Sequence, residues 1–178
     1  ILPTVRGMAA DGIPYSGFLY AGLMIDDDGN PRVLEFNCRM GDPETQPIML
    51  RLKSDLYELL DAAVDGHVDR IEAEWDRRAA LGVVLAAANY PETPRRGDAI
   101  AGLEQRGDDF HIFHAGTARD GDAVVTAGGR VLCVTALGDS IRMAQRRAYQ
   151  IVDGVRFDGM QCRRDIGFRA IAARKGQP

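Results

Sequence analysis

RVLEFNCRMGDPETQ, residues Arg32 to Gln46, decides how the rest of the chain is read. Its first half, Val33-Leu34-Glu35-Phe36, is made of strand-formers carrying one carboxylate. An amide at Asn37 and a guanidinium at Arg39 follow, and Gly41-Asp42-Pro43 then makes a tight turn presenting Asp42 and Glu44. Residues two apart on a strand point to the same face, so Glu35, Asn37 and Arg39 share one side. Leu34, Phe36 and Cys38 share the other. The polar side is expected to meet something polar, and the oily side to pack on a core.

Upstream, Tyr15 to Ile25 (YSGFLYAGLMI) is rich in aromatic and β-branched residues, and Asp26-Asp27-Asp28-Gly29-Asn30-Pro31 supplies turn chemistry. Two apolar runs joined by an Asp-Gly turn predict an antiparallel hairpin. The aspartates resemble part of a calcium loop, but the remaining ligand positions and the closing glutamate are missing, so a solvated hairpin tip is expected. Before the hairpin, Thr4 to Gly12 has helical spacing closed by a glycine. After it, Gln46 to Leu52 reads as one or two helical turns. Ser54 is the expected N-cap of a helix from Asp55 to about Val64, stopped by Gly66. Its stripe of Leu56, Leu59, Leu60 and Ala63 is expected to lie against the oily face of the hairpin.

The texture changes near Trp75, and a boundary between Asp76 and Ala80 is expected, giving domains at residues 1–78 and 79–178. Ala79 to Ala88 reads as a buried strand, and Pro94 to Gly97 as a basic turn. Asp109 to His114, Ala123 to Thr126 and Arg130 to Ala136 read as short strands, with Gly128-Gly129 as a hairpin turn. Asp139 or Ser140 is expected to cap an amphipathic helix to about Val152, with Ile141, Ala144, Ala148, Ile151 and Val152 inward. A last helix is expected from Asp165 to about Lys175. His111 and His114 should face opposite ways, which disfavours a shared metal, and His114 suits a strand-end hydrogen bond. Arg146 and Arg147 read as solvated.

Composition narrows the function classes. With 46% apolar and 27% charged residues and a net charge of −4, the chain suits a globular fold. It gives no reason to expect a nucleic-acid groove or a polybasic membrane patch. Three widely spaced cysteines, Cys38, Cys133 and Cys162, form no CxxC pair, which points away from zinc or a disulfide framework and toward a reducing, cytoplasmic setting. No apolar run approaches the ~18–20 residues of a membrane span. Ile1-Leu2-Pro3-Thr4 has neither an initiator Met nor signal-peptide character, and the chain reads as a piece of a longer polypeptide.

For chemistry, the opening strand suits a metal–phosphate platform. Magnesium takes a few hard oxygen ligands from protein and leaves the rest to phosphates and water, and Glu35 with Asn37 offers such a pair. Arg39 could stabilise charge on a phosphoryl group or fork onto a carboxylate. Spacing alone leaves open a plain surface ion pair between Glu35 and Arg39.

The block YSGFLYAGLMIDDDGNPRVLEFNCRMGDPETQ closely resembles the phosphoribosylamine–glycine ligase (glycinamide ribonucleotide synthetase) family of ATP-grasp enzymes. Leu50-Arg51-Leu52-Lys53-Ser54-Asp55-Leu56, Phe113-His114-Ala115-Gly116-Thr117 and Arg163-Arg164-Asp165-Ile166-Gly167 extend the likeness along the chain. The resemblance implies a mixed α+β and α/β fold. The antiparallel strands and helices of the last part of an ATP-grasp core would come first, followed by a small C-terminal domain of short strands flanked by helices. It makes Glu35 and Asn37 ligands of a divalent cation, Mg2+ or Mn2+, that holds the ATP phosphates. Arg39 becomes the catalytic residue beside the phosphoryl and carboxylate groups, and with Gly41, Asp42, Pro43 and Glu44 it binds substrate. The partners implied are ATP, glycine, 5-phosphoribosylamine and the missing N-terminal part of the same enzyme. Many ATP-grasp enzymes place a further acidic ligand on the preceding strand, but Tyr20 to Ile25 contains no acid. A non-catalytic module, or another ATP-grasp ligase with the same Glu-x-Asn strand, remains open at this level.

Overall fold

The computed structural model describes residues 1–173. The chain divides into two units, Ile1–Asp42 with Leu52–Trp75, and Pro43–Arg51 with Asp76 onward.

In the first unit, α1 (Leu2–Ala10) carries its proline in the first turn, where a missing N–H costs nothing. It stops at Gly12, whose φ of +79° a side chain would disfavour. Strands β1 (Tyr20–Ile25) and β2 (Pro31–Asn37) form the expected antiparallel hairpin. The first strand starts later than its composition suggests, because the Tyr15 hydroxyl donates to the Phe18 carbonyl and folds 15–18 into a loop. At the tip, the Asp26 carboxylate accepts the Asn30 N–H at 2.7 Å, and Gly29 turns the chain at φ +84°. Pairing slips once: Gly22 faces Glu35 while Leu23 faces Val33, which leaves Leu34 as the extra residue of a bulge.

Two expectations fail here. The oily side of the hairpin does not pack on a core, since Leu34 is 65% and Phe36 39% exposed, and Cys38 is exposed as well. Nor does α3 (Leu56–Val64) bury its stripe there: none of its residues is buried. Its partners are the 3-10 turn Val68–Arg70 and the loop at Ser16, whose hydroxyl donates to the Ala63 carbonyl at 3.1 Å. The cap also differs from expectation. Asp55 accepts the Tyr57 N–H at 2.8 Å, while the Ser54 hydroxyl accepts the Glu74 N–H at 2.7 Å. A carboxylate beside the helix N-terminus gains from the helix dipole, which favours Asp55 over its neighbour. Gly66 ends the helix region at φ +72°, as expected.

The second unit is built on a three-stranded antiparallel sheet with the order β3 (Ala79–Ala86), β7 (Arg130–Gly138), β4 (Phe110–His114). β3 alternates: Val83 and Leu85 are fully buried with Val131, Val134 and the inward residues of α4 (Ile141–Val152). Ser140 caps α4 by accepting the Met143 N–H at 3.3 Å, and Ala144, Ala148, Ile151 and Val152 point inward as their spacing predicts. On the other face, Gly82 lies against Cys133, Thr135 and Pro47 of α2 (Thr45–Arg51). A helix on each side accounts for a central strand buried along almost its whole length.

A second hairpin, β5 (Thr117–Asp120) with β6 (Ala123–Thr126), forms its own sheet. Gly128-Gly129 is therefore not a hairpin turn: it carries the chain from one sheet to the other, because β7 pairs with β3 and β4 rather than with β6. Arg147 is not simply solvated either. Its guanidinium grips both oxygens of Asp109, at 2.9 and 3.0 Å, and lies 5.0 Å over the Phe110 ring. That pairing holds the Asp109 carboxyl below its ordinary pKa. The last helix, α5 (Phe168–Ala173), begins later than Asp165, and its expected continuation to Lys175 lies outside the described residues.

Candidate functional site

Strand geometry brings Glu35 and Asn37 together. They project from the same side of β2, and the Asn37 amide nitrogen donates to Glu35 Oε1 at 3.0 Å. Both oxygen-bearing groups are reachable, Glu35 exposed and Asn37 half-buried. Across the ladder their partners are Gly22 and Tyr20. Gly22 leaves room for Glu35: a methyl group placed there would sit 3.1 Å from Glu35 Cγ. Sequence reasoning overlooked this residue, although a glycine inside a strand is the usual sign of close approach.

The other candidates differ in their surroundings. Arg39 lies past the end of β2, exposed, with Nη1 donating to the Met40 carbonyl at 3.0 Å. Among the described residues no ion pair joins it to Glu35. Gly41 is buried and Asp42 exposed at the end of the first unit's opening segment. Pro43 is half-buried and Glu44 exposed at the start of the second unit, where the Glu44 carbonyl accepts the Ile48 N–H at 3.2 Å at the entrance to α2. His114 makes the expected strand-end bond, Nδ1 to Thr117 Oγ1 at 3.1 Å.

The donor set fits a hard cation that shares its coordination with another ligand. One carboxylate and one amide oxygen on a single face suit Mg2+, which retains water or phosphate oxygens. Among the described residues no cluster of three or more His, Cys, Asp or Glu forms a closed metal cage. A cation held by both side chains would replace their mutual hydrogen bond, because a half-turn of the Asn37 amide would present its oxygen in place of its nitrogen.

This hairpin and the mixed sheet-and-helix unit beyond it belong to an ATP-grasp architecture. The model of the phosphoribosylglycinamide synthetase ATP-grasp (A) domain matches residues 1–45, and that of the C domain matches residues 80–169. The chain belongs to the phosphoribosylglycinamide synthetase family. It is 63% identical over 171 residues to a phosphoribosylamine–glycine ligase from Ralstonia nicotianae, covering 96% of this chain and 40% of that protein. The like-named protein of Vibrio cholerae is 61% identical with the same coverage. The chain thus spans about 40% of the length of the curated relatives it matches. Among solved structures, phosphoribosylamine–glycine ligase from Thermotoga maritima superposes with a TM-score of 0.75 at 39% identity, over 90% of this chain and 39% of that one. The biotin carboxylase domain of a Hydrogenobacter thermophilus 2-oxoglutarate carboxylase, solved with MgADP, shares the fold at 14% identity, with a TM-score of 0.61 over 86% of this chain and 34% of that one. No helix among the described residues is long and apolar enough to cross a membrane.

Proposed function

We propose that this chain is the C-terminal part of a phosphoribosylamine–glycine ligase, with residues 1–78 closing the ATP-grasp domain and residues 79–178 forming the C-terminal domain. The observation that carries the proposal is the pairing of Glu35 with Asn37 on one accessible strand face, in a chain 63% identical to a protein of that name. The exposed apolar hairpin supports it too, since such a surface suits burial against further chain.

In this reading ATP phosphorylates the glycine carboxylate, and the amine of 5-phosphoribosylamine displaces phosphate from the glycyl phosphate. The products are glycinamide ribonucleotide, ADP and phosphate. A bound Mg2+ or Mn2+ would neutralise charge on the phosphoryl oxygens. Glu35 and Asn37 would hold that cation by their oxygens, and so help to place the ATP phosphates near glycine. Arg39, with its planar fork of donors, faces the carboxylate and the phosphoryl group where charge accumulates. The loop at Gly41, Asp42, Pro43 and Glu44 positions glycine and the amine. Such chemistry asks little covalent work of the protein, and alignment with electrostatics supplies the rate. A cytoplasmic setting follows from the same reading.

The test is steady-state ligation by the full-length enzyme carrying this chain. Glu35→Gln is expected to raise the magnesium concentration for half-maximal rate and to cut kcat by at least about a hundredfold. Unchanged kinetics across a magnesium titration would remove the assignment. The 178-residue chain alone is expected to form no glycinamide ribonucleotide.

A further inference from the structure

The second unit contains a cavity of about 330 Å3, within the usual ~300–1,000 Å3 of small-ligand sites. Its floor is Val84 and Ala86, on the face of β3 opposite the buried Val83 and Leu85. Tyr90 walls one side, and Pro43 borders it as well. Two guanidinium groups, Arg130 and Arg163, complete the lining. Asn89, at φ +64°, turns the chain to set Tyr90 in place, and the Tyr90 ring lies so close over Gly129 that an added methyl group there would meet its Cδ2 at 2.6 Å.

Arg163 is held in a fixed direction. Its Nε and Nη2 donate to the two oxygens of Asp165 at 3.0 and 2.8 Å, which leaves Nη1 without a partner among the described residues. The irregular backbone that carries it is pinned on both sides. Gln161 and Ala86 exchange N–H to carbonyl bonds of 2.8 and 2.9 Å. The Tyr149 hydroxyl donates to the Arg163 carbonyl at 2.8 Å and accepts the Ile166 N–H at 3.1 Å, and Gln145 donates to the Ile166 carbonyl at 2.7 Å. A loop fixed at so many points presents its cationic group with little ordering cost on binding.

We propose that this cavity is the subsite for the phosphate of a phosphorylated pentose, in the ligase the 5-phosphate of the amine substrate, an assignment that rests on the ligase reading above. That reaction has two phosphate-bearing substrates, and the ATP phosphates are accounted for by Glu35 and Asn37. Two permanently charged, forked donors match the remaining phosphate dianion, and the apolar floor and tyrosine wall suit the carbon face of a sugar ring. Anchoring a group remote from the reacting amine is also how binding energy is turned into alignment.

The test is calorimetric titration of the full-length enzyme carrying this chain with ribose 5-phosphate, alongside ribose, inorganic phosphate and MgADP. Saturable ribose 5-phosphate binding is expected, with ribose far weaker and no displacement by MgADP. Arg163→Gln and Arg130→Gln are each expected to weaken binding roughly ten- to a hundredfold, with thermal unfolding unchanged for the exposed Arg163. In the full-length enzyme the same variants should raise KM for phosphoribosylamine and leave KM for ATP and glycine in place. Absence of ribose 5-phosphate binding, its displacement by MgADP, or wild-type affinity in both variants overturns the subsite. Should ligation proceed with the phosphoribosylamine KM unmoved by both variants, the subsite falls and the ligase reading stands. Should binding behave as expected while the full-length protein ligates no glycine, the subsite stands and the ligase reading falls.

Discussion

Replacing Gly22 by alanine places a methyl group 3.1 Å from Glu35 Cγ, on the strand that faces it. Ordinary carbon–carbon contact is ~3.5–4.0 Å, so the Glu35 side chain must retreat by roughly half an ångström. Nothing else resists, because the hairpin is exposed and the alanine is compatible with a strand. The fold should therefore survive while the carboxylate is displaced. Magnesium demands near-ideal octahedral geometry at ~2.0–2.1 Å, so it tolerates such a shift poorly. If a misplacement of about 1 Å costs a hundredfold in rate, half of that costs about tenfold. The assay is the magnesium dependence of ligation by the full-length enzyme, with circular dichroism to show that the fold is intact. Gly7→Ala is the control: no atom lies within 4 Å of the added methyl group, and helix propensity should give up to about 1 kcal/mol of local stability with unchanged kinetics. A Gly22→Ala enzyme with wild-type magnesium dependence would refute the claim that this glycine exists to admit Glu35.

Further predictions concern stability. Arg147 lowers the Asp109 pKa, so the pair's contribution is fully present above the unfolded carboxyl value of about 3.9 and is lost as pH falls below it through the folded value. With both partners about a third exposed, Arg147→Ala should cost no more than ~1 kcal/mol at pH 7, and the difference from wild type in urea unfolding should shrink toward pH 2. An Arg147→Ala deficit that persists undiminished at low pH would place the effect in packing on Phe110 instead. Asp55→Ala should destabilise the start of α3 by about 1 kcal/mol, seen as faster hydrogen exchange at the Tyr57 amide, whereas Ser54→Ala should speed exchange at Glu74 and spare Tyr57.

The features that could be read from sequence were those set by local chemistry. The β1–β2 hairpin, its Asp-Gly turn, the α4 stripe and the Ser140 cap all depend on neighbours a few residues apart, and all appear as expected. Long-range pairing was not legible. The bulge at Leu34 exists only in the register of β2 against β1. The short polar strand β5 exists only because β6 pairs with it, and the role of Gly128-Gly129 depends on which sheet β7 joins. Asp55 and Ser54 are both good capping residues, and only the position of Glu74 decides between them. The exposed hairpin shows a similar limit, because an apolar stripe announces burial without saying what covers it. At the candidate site, residue types and spacing were enough to put Glu35 and Asn37 on one face, while the metal role came from family resemblance. The Arg163 loop entered only through family resemblance, and its direction was not legible because Tyr149, Gln145 and Ala86 set it from other parts of the chain.

Whether Glu35 and Asn37 hold the cation for ATP is tested by a crystal structure of the full-length enzyme with MgADP. A cation about 2.0–2.1 Å from a Glu35 carboxylate oxygen and from the Asn37 amide oxygen is expected, with their mutual hydrogen bond gone. A cation bound elsewhere, with Asn37 still donating to Glu35, would contradict it.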